Sequence, residues 1–238
     1  MSAQLALNLR LKDAASFENF FPGRNAEALA HTRAAAEAAG RGEIAERILF
    51  LAGPEGSGKT HLLQAACRAA QERGATPIYV PLAEAVQLST AILEDADAAA
   101  LVCLDDVERI AGRNDWEQAL FALCERLRAA GGVLVAAGAA HPNNLGLRLP
   151  DLATRLAWGP VYALQPLDDT EKLAAIRLRA RNRGLEMSEE AARYILARHP
   201  RDLHTLFDLL DRIDRAALAS QRRITIPFLR GLQPEVKE

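Results

Sequence analysis

The chain has 238 residues, half of them hydrophobic, which is enough to bury one large α/β core and to build a small additional domain. Its 29 Lys and Arg residues and 31 Asp and Glu residues give a formal net charge of −2, which excludes a general electrostatic attraction to nucleic acid. There is neither a recognisable signal peptide nor an apolar window long enough to span a membrane, so we expect a cytoplasmic protein without membrane segments.

The elements predicted for the first part of the chain alternate between strands and helices. Ser2 to Leu11 is predicted to be a tail, and Asn25–Ala39 a helix. The expected strands are Ile48–Leu51, Pro77–Val80, Leu101–Leu104 and Gly132–Ala137, and the helices that follow them are Thr60–Arg73, Leu82–Leu93, Asp115–Ala130 and Pro150–Trp158. This alternation predicts a parallel sheet with helices on both faces.

After Tyr162 the pattern becomes helical. The expected helices are Thr170–Arg183, Ser188–His199, Asp202–Ser220 and a short one after Pro227. Gly184 directly follows a predicted helix, a position at which glycine is common. Ser188 followed by two Glu residues is typical of a helix N-terminus. The pattern as a whole predicts a tail at 1–12, an α/β domain at 13–165 and an all-α domain at 166–238.

The three cysteines give no sign of a metal site. Cys67, Cys103 and Cys124 stand singly within apolar stretches, and no Cys-x-x-Cys pair is present. We therefore expect small buried apolar residues in a reducing compartment, without disulfides.

A phosphate-binding loop follows the first predicted strand. Its residues are Gly53, Pro54, Glu55, Gly56, Ser57, Gly58, Lys59 and Thr60, and they fit the pattern G-x-x-x-x-G-K-[ST]. The glycines allow backbone N–H groups to face phosphates, the Lys59 ammonium would reach the β- and γ-phosphates, and the Thr60 hydroxyl would bind Mg²⁺. An ordinary glycine-rich turn would require neither Lys59 nor Thr60 at these positions.

Two acidic residues end the predicted strand at Leu101–Leu104. Asp105 is the candidate carboxylate for the Mg²⁺ shell, and Asp106 is the candidate base that polarises a water. Adjacent acids after a strand also occur as a plain turn signal. The phosphate-binding loop at the expected separation favours the metal-binding interpretation.

These motifs together resemble the AAA+ part of the bacterial replication initiator DnaA. The segments that carry the resemblance are Ala15 to Phe20, the loop Gly53 to Thr60, Leu104 to Val107 and Leu152 to Gly159. The sequence is more similar to the Hda family of DnaA-related regulatory inactivators, since no room is left for a helix-turn-helix domain after the helical region. This resemblance implies a P-loop AAA+ α/β domain followed by a small all-α lid.

The resemblance also implies a clamp-binding peptide near the start of the chain. Gln4, Leu5, Leu7 and Leu9 are similar to the family's pattern of a Gln followed by alternating leucines. An amide with fixed hydrogen bonds and apolar anchors would suit a groove on the β sliding clamp of DNA polymerase III. A short leucine-rich segment can also be an edge strand.

Two arginines receive roles by resemblance alone. Arg155 falls at the arginine-finger position, from which it would reach nucleotide bound to a neighbouring subunit, and Arg201 falls at the sensor 2 position on a lid helix. The alternative is that each is a surface arginine paired with Asp151 or Asp202, a contact that contributes at most about 1 kcal/mol.

The sequence departs from the family at sensor 1. Where a polar residue is usual, the chain has Ala139, and His141, Asn143 or Asn144 could replace it only if the loop were displaced. Intrinsic hydrolysis is therefore expected to be weak, whereas nucleotide binding is not affected.

The lid contains many arginines, among them Arg177, Arg179, Arg181 and Arg183. The favoured interpretation is that they form a solvated face, and the alternative is that they contact nucleic acid.

The resemblance therefore implies a regulator of chromosome replication initiation. Such a protein would bind ADP or ATP with Mg²⁺, contact the sliding clamp, and stimulate hydrolysis of ATP bound to DnaA. No sequence-specific DNA binding is expected, and a homo-oligomer is compatible with the family. The alternative is a self-sufficient AAA+ ATPase or a protein similar to a helicase loader.

Overall fold

The computed structural model describes residues 15–40, 47–220 and 224–231. The chain divides into two compact units. The first comprises Met1–Phe17 and Arg24–Pro166, and the second comprises Glu18–Gly23 and Leu167–Glu238. The short segment Glu18–Gly23 thus groups with the second unit, which a single boundary in the sequence does not anticipate.

The first unit is built around a parallel sheet. Its strands are β1 (Ile48–Ala52), β2 (Pro77–Pro81), β3 (Leu101–Asp105), β4 (Val133–Gly138) and β5 (Val161–Ala163). Among the described residues these form one five-stranded sheet in the order β2-β3-β4-β1-β5, and each neighbouring pair is parallel. All residues of β1, β3 and β4 are buried, as expected for strands covered on both faces.

Helices connect the strands. In the first unit they are α1 (Ala26–Ala38), α2 (Lys59–Glu72), α3 (Leu82–Ala85), α4 (Asn114–Ala130) and α5 (Pro150–Leu156). Leu62 and Leu63 of α2, and Leu120 and Leu123 of α4, are fully buried. The predicted α/β fold with a parallel sheet is confirmed.

The prediction of one continuous helix at Leu82–Leu93 is wrong. The structure has the short α3, then a turn, then a 3₁₀ turn at Thr90–Leu93. Ser89 has extended backbone and its hydroxyl accepts a hydrogen bond from the N–H of Ala91 at 3.2 Å, which competes with helical pairing. Arginines of the α4 region donate to the carbonyls of Val86 and Leu93, both at 2.7 Å, so contacts outside the segment replace the helical hydrogen bonds.

The second unit is helical. Its helices are α6 (Asp169–Asn182), α7 (Glu189–Arg198), α8 (Leu203–Ser220) and α9 (Ile226–Gly231). Asp168 and Glu171 form a capping box at the start of α6, and the Ser188 hydroxyl caps α7 as the sequence predicts. Ile176, Ile195, Leu206 and Leu210 are central members of its core. The predicted region of helices is confirmed.

The three thiols lie inside the first unit. Cys67 is on α2, Cys103 on β3 and Cys124 on α4, and all three are buried and free. Burial raises the pKa of Cys124 to about 12, and burial together with the neighbouring Cys67 raises the pKa of Cys103. The expectation of buried, unpaired cysteines is confirmed.

Within the described ranges, no helix combines the length and the apolar character that crossing a bilayer requires.

Candidate nucleotide-binding site

The loop from Gly53 to Thr60 joins the end of β1 to the start of α2. Gly58 caps α2 in the left-handed region with φ +96°, a conformation that favours glycine. A Cβ at Gly53 would lie 2.9 Å from the carbonyl oxygen of Leu164 and 2.8 Å from the Ser57 hydroxyl, so a larger residue would collide with its neighbours. Glycine is therefore required at 53 for the loop to pass close to Leu164, and it is favoured at 58 for the turn into α2.

The Lys59 side chain lies within the loop. Its ammonium donates to the carbonyl oxygens of Gly53 at 2.6 Å and Pro54 at 3.0 Å. The Ser57 hydroxyl is buried and has no hydrogen-bond partner among the described residues. A buried polar atom without a partner is costly, and here it marks a place where an oxygen-rich ligand would satisfy it.

Asp105 at the end of β3 meets Thr60 at the start of α2. Its Oδ2 accepts from the Thr60 hydroxyl at 2.6 Å and from the Tyr79 hydroxyl at 2.9 Å, and its Oδ1 accepts from the N–H of Asp106 at 3.1 Å. The carboxylate is buried. The structure thus brings together the two residues that the sequence suggested for Mg²⁺.

Asp106 has an unusual backbone. It is the one residue other than glycine in the described ranges with positive φ, at +57°. Burial raises the pKa of its carboxyl group, and the nearby carboxylates of Asp105 and Glu108 raise it further, while Lys59 opposes them. A strained backbone and a shifted carboxylate at the end of a strand are features of functional sites.

Two residues of this site were missed by the sequence reasoning. Tyr79 lies on β2, whose neighbour in the sheet is β3, and burial followed by the charge of Asp105 raises its pKa well above the usual range. Glu108 accepts a hydrogen bond from the N–H of Ala139 at 3.0 Å through Oε2. A hydroxyl in a mostly apolar strand and an acid two residues after Asp106 were the available signals.

Glu108 changes the interpretation of the sensor 1 position. Ala139 has no polar side chain, but its backbone N–H is bound to a carboxylate from the loop after β3. The side chain of His141 accepts instead from the N–H of Asn143 at 3.3 Å and caps a local turn. A carboxylate therefore lies at the end of β4 although the sequence has none at 139.

Arg155 and Arg201 both make ion pairs, and their partners differ from those weighed in the sequence. Arg155 lies in the last turn of α5, and its Nε lies 2.7 Å from Oε1 of Glu125. In the second unit, Arg201 donates to Asp169 at 2.5 Å. Asp202 caps the start of α8 by accepting from the N–H of Thr205 at 2.7 Å, while Glu125 and Asp169 are the acids that face Arg155 and Arg201 in these contacts. Arg201 precedes α8 rather than lying on it.

The expectation of a solvated arginine face on α6 is wrong for one member. Arg179 is buried, and its guanidinium carbon lies 4.1 Å from the centre of the Phe207 ring. Arg183 forms an ion pair with Asp211, and Arg177 lies 3.7 Å from Glu189. Arg177, Arg179 and Arg183 thus serve packing and pairing within the second unit, whereas Arg181 is exposed as expected.

The proposed clamp-binding residues Gln4, Leu5, Leu7 and Leu9 lie outside the described residues.

The site has the donors that Mg²⁺ and a nucleotide would require. No group of three or more His, Cys, Asp or Glu side chains arranged to hold a metal is found in the described ranges. Mg²⁺ is usually bound by one or two protein oxygens together with phosphates and waters, and Thr60 and Asp105 fit that pattern. The unpartnered Ser57 hydroxyl and the left-handed glycines fit a phosphate ligand.

Comparisons with known proteins cover both units. The family model of the bacterial DnaA ATPase domain matches residues 11–163, and that of the Hda lid domain matches residues 169–232. AMPPCP-bound DnaA from Aquifex aeolicus is 24% identical, with a TM-score of 0.68 over 88% of this chain and 71% of that chain. Domain III of Thermotoga maritima DnaA is 22% identical, with a TM-score of 0.69 over 93% and 96%. The Thermotoga maritima RuvB Holliday junction branch migration motor is 19% identical, with a TM-score of 0.62 over 91% and 72%.

Proposed function

This chain belongs to the bacterial DnaA ATPase family of AAA+ proteins and carries an Hda-type lid, and we propose that it regulates chromosome replication initiation by inactivating DnaA. In this proposal the protein binds an adenine nucleotide, attaches to the sliding clamp, and stimulates hydrolysis of ATP bound to DnaA. The observation that carries the proposal is the combination of a DnaA-type ATPase domain and an Hda-type lid in one chain.

The first unit contains the groups that nucleotide binding requires. The loop Gly53 to Thr60 offers backbone N–H groups and the Lys59 ammonium to phosphates, and Arg201 of the lid is the proposed further phosphate contact. Mg²⁺, bound through Thr60 and Asp105, would neutralise phosphate charge there. Tyr79 and Thr60 both donate to Oδ2 of Asp105, which helps to orient that carboxylate.

Arg155 is the proposed group that acts on the partner. A planar guanidinium can bind two phosphate oxygens at once, which suits the charge that develops during phosphoryl transfer. Asp106 is the proposed base of this chain's own site. The finger and the base would therefore serve different nucleotides, one bound to DnaA and one bound here.

The clamp contact is proposed for Gln4, Leu5, Leu7 and Leu9. The Gln4 amide would make fixed hydrogen bonds, and the three leucines would offer apolar anchors to a groove on the clamp.

The alternative is a self-sufficient AAA+ ATPase or a protein similar to a helicase loader. The close contact of Thr60 with Asp105, at 2.6 Å, and the position of Asp106 next to them favour it. Ala139 argues against it, because its side chain cannot bind a γ-phosphate or an attacking water. Steady-state ATP turnover by the protein alone distinguishes the two functions, since only the alternative requires it to be rapid.

The test measures conversion of labelled ATP bound to DnaA in the presence of clamp loaded on DNA. Wild-type protein should accelerate conversion, and Arg155→Ala should lower the accelerated rate more than tenfold, since trans-acting fingers contribute about 10³–10⁵ in other systems. Arg155→Lys should restore little, because it keeps the charge without the planar fork. Wild-type rates with the Ala variant would show that another group supplies the positive charge.

A further inference from the structure

The side chain of Arg155 is covered on several sides within the first unit. Only 20% of it is exposed, and its Nε lies 2.7 Å from Oε1 of Glu125, a side chain on α4 that is 40% exposed. Neither of these two atoms has an aligned hydrogen bond among the described residues. The pair is therefore held by charge attraction, which tolerates movement better than an aligned hydrogen bond.

An exposed tryptophan covers the guanidinium of Arg155. Its carbon Cζ lies 4.1 Å from the centre of the Trp158 ring and 5.9 Å from that of Phe121. Trp158 is 56% exposed, one of two large hydrophobic side chains in the described ranges that solvent reaches so freely. The guanidinium of Arg128 lies 4.7 Å from the same ring. One indole thus binds two cations at the surface.

A finger that acts on a neighbouring subunit has to present its terminal nitrogens to that subunit's phosphates. In this structure its charge is compensated by Glu125, and the ring of Trp158 covers part of the guanidinium. We propose that Glu125 and Trp158 hold Arg155 in a resting position, which the guanidinium leaves when the partner's ATP replaces Glu125. This inference rests on the proposed function, because it assigns Glu125 as a positioning residue for the proposed finger.

The strength of the contact suits such a role. Partly exposed ion pairs are weak, and losing one changes an equilibrium by about two- to fivefold. A triphosphate attracts a guanidinium more strongly, because it offers two oxygens and more charge. Glu125 therefore retains Arg155 when no partner is bound and yields to a bound ATP.

The neighbouring residue on α4 supplies a matched control. Arg126 forms an ion pair with Asp97 at 2.9 Å, and it also donates to the carbonyl oxygen of Leu93 at 2.7 Å. This pair is aligned and connects α4 to the segment before β3. Asp97→Asn makes the same kind of chemical change as Glu125→Gln, but at a pair that does not involve Arg155.

Fluorescence quenching tests the resting position in the protein alone. The chain has two tryptophans, and Trp116 is only 2% exposed, so the neutral quencher acrylamide reaches mainly Trp158. Glu125→Gln should raise the quenching of Trp158, because Arg155 leaves the ring more often, and Arg155→Ala gives the upper limit. Asp97→Asn should quench like wild type. Equal quenching of Glu125→Gln and wild type would overturn the resting position, whether or not the protein acts on DnaA.

The DnaA assay tests the consequence for function. At limiting protein, Glu125→Gln should accelerate conversion of DnaA-bound ATP about two- to fivefold relative to wild type. Combining it with Arg155→Ala should remove the gain, and Asp97→Asn should leave the rate unchanged. A lower rate with Glu125→Gln would overturn the inference, since Glu125 would then present the finger rather than retain it. An unchanged rate despite higher quenching would also overturn it.

Failure of the proposed function has a different signature. If the wild-type protein did not stimulate DnaA at all, the proposed function itself would be contradicted. The quenching result would still decide whether Glu125 holds Arg155.

Discussion

At the scale of single residues, Lys59 connects the loop Gly53 to Thr60 to its proposed ligand. The ammonium is bound to two carbonyl oxygens of its own loop, at 2.6 Å and 3.0 Å. A phosphate would be the stronger partner, because it carries full negative charge. Binding of a nucleotide would therefore exchange internal hydrogen bonds for charge-assisted ones at the same nitrogen.

We predict that Lys59→Ala abolishes nucleotide binding. The substitution removes the cation that the loop places at the β-phosphate and leaves only backbone dipoles to stabilise its charge. Isothermal titration calorimetry with ADP measures the effect, and thermal melting checks that the variant is folded. ADP affinity equal to that of wild type would refute the assignment of this loop.

Asp106 links the site to the pH dependence of stability. Its pKa is raised, first by burial and then by the carboxylates of Asp105 and Glu108. The folded state therefore binds this proton more tightly than the unfolded state. The resulting stabilisation is fully present below the usual pKa of an aspartate, about 4, and is lost as the pH rises through the raised value. At neutral pH the ionised group is a source of repulsion.

We predict that Asp106→Asn raises the melting temperature of the nucleotide-free protein at neutral pH. Asn also tolerates a positive φ, and it removes the negative charge. The gain in the free energy of unfolding should stay below about 1 kcal/mol, because the side chain is partly exposed. The gain should shrink below about pH 4, where Asp106 is protonated in both states. Thermal melts between acidic and neutral pH give the measurement.

Asp97 provides a control of opposite sign for this prediction. The hydrogen bond from Arg126 lowers the pKa of Asp97, so its stabilisation is present above the usual pKa and is lost as the pH falls. Asp97→Asn should therefore lower the melting temperature at neutral pH. If both variants changed the melting temperature in the same direction, charge repulsion at Asp106 would not be the cause of the change in Asp106→Asn.

At the scale of elements, Glu117 joins α4 to the segment that begins α5. It is fully buried, and its carboxylate accepts from the N–H groups of Gly112 at 2.7 Å, Arg148 at 3.2 Å and Leu149 at 2.7 Å. Leu149 directly precedes α5, the helix that carries Arg155. One carboxylate thus fixes where α5, the helix of the proposed finger Arg155, starts.

We predict that Glu117→Ala lowers the free energy of unfolding by about 3–5 kcal/mol, because three buried N–H groups lose their acceptor. Glu117→Gln should cost less, since one oxygen is kept and the amide nitrogen opposes only one N–H. Chemical denaturation followed by circular dichroism measures both. Gln118→Ala, at an exposed neighbouring position, should change stability by less than about 0.5 kcal/mol. A similarly small change for Glu117→Ala would mean that water replaces the carboxylate.

Helices and strands were predictable from the sequence where the local pattern of apolar and polar residues decides the structure, and less so where distant contacts decide it. The strands around β1, β3 and β4 were predictable because their apolar runs are short and followed by glycines or acids. The segment after Leu82 was not, because its carbonyls bind Arg113 and Arg126, which are distant in sequence. The three backbone partners of Glu117 and the hydrogen bond between Glu108 and Ala139 likewise depend on how loops meet. No periodicity encodes such contacts.

At the scale of the whole molecule, the fold class and the family followed from a few motifs. Gly53 to Thr60 and the pair Asp105-Asp106 restrict both chemistry and topology, since they require strands whose carboxyl ends meet at one edge. The arginine partners could not be derived, because nearby acids in sequence, Asp151 and Asp202, were the only guide. The burial of Arg179 could not be derived either, because its contact with the Phe207 ring depends on how α6 and α8 pack.

We predict that changing Gln4 and Leu5 together to Ala removes binding to the sliding clamp. The Gln amide and the Leu side chain are the proposed anchors, and anchors of this kind contribute most of the affinity of short peptides. Surface plasmon resonance on immobilised clamp measures the loss, and unchanged ADP affinity shows that the nucleotide site is intact. Clamp binding by the double variant at wild-type affinity would exclude this segment as the contact.

The burial of all three thiols has a practical consequence. A thiolate is the species that alkylating reagents attack, and the raised pKa values of Cys103 and Cys124 make it scarce at neutral pH. Alkylation of the native protein should therefore wait for the first unit to open, so its rate reports the opening of that unit while the second unit contributes no signal. A cysteine introduced at an exposed position would then be the one fast-reacting thiol, which allows a single dye or spin label to be attached without removing any natural residue.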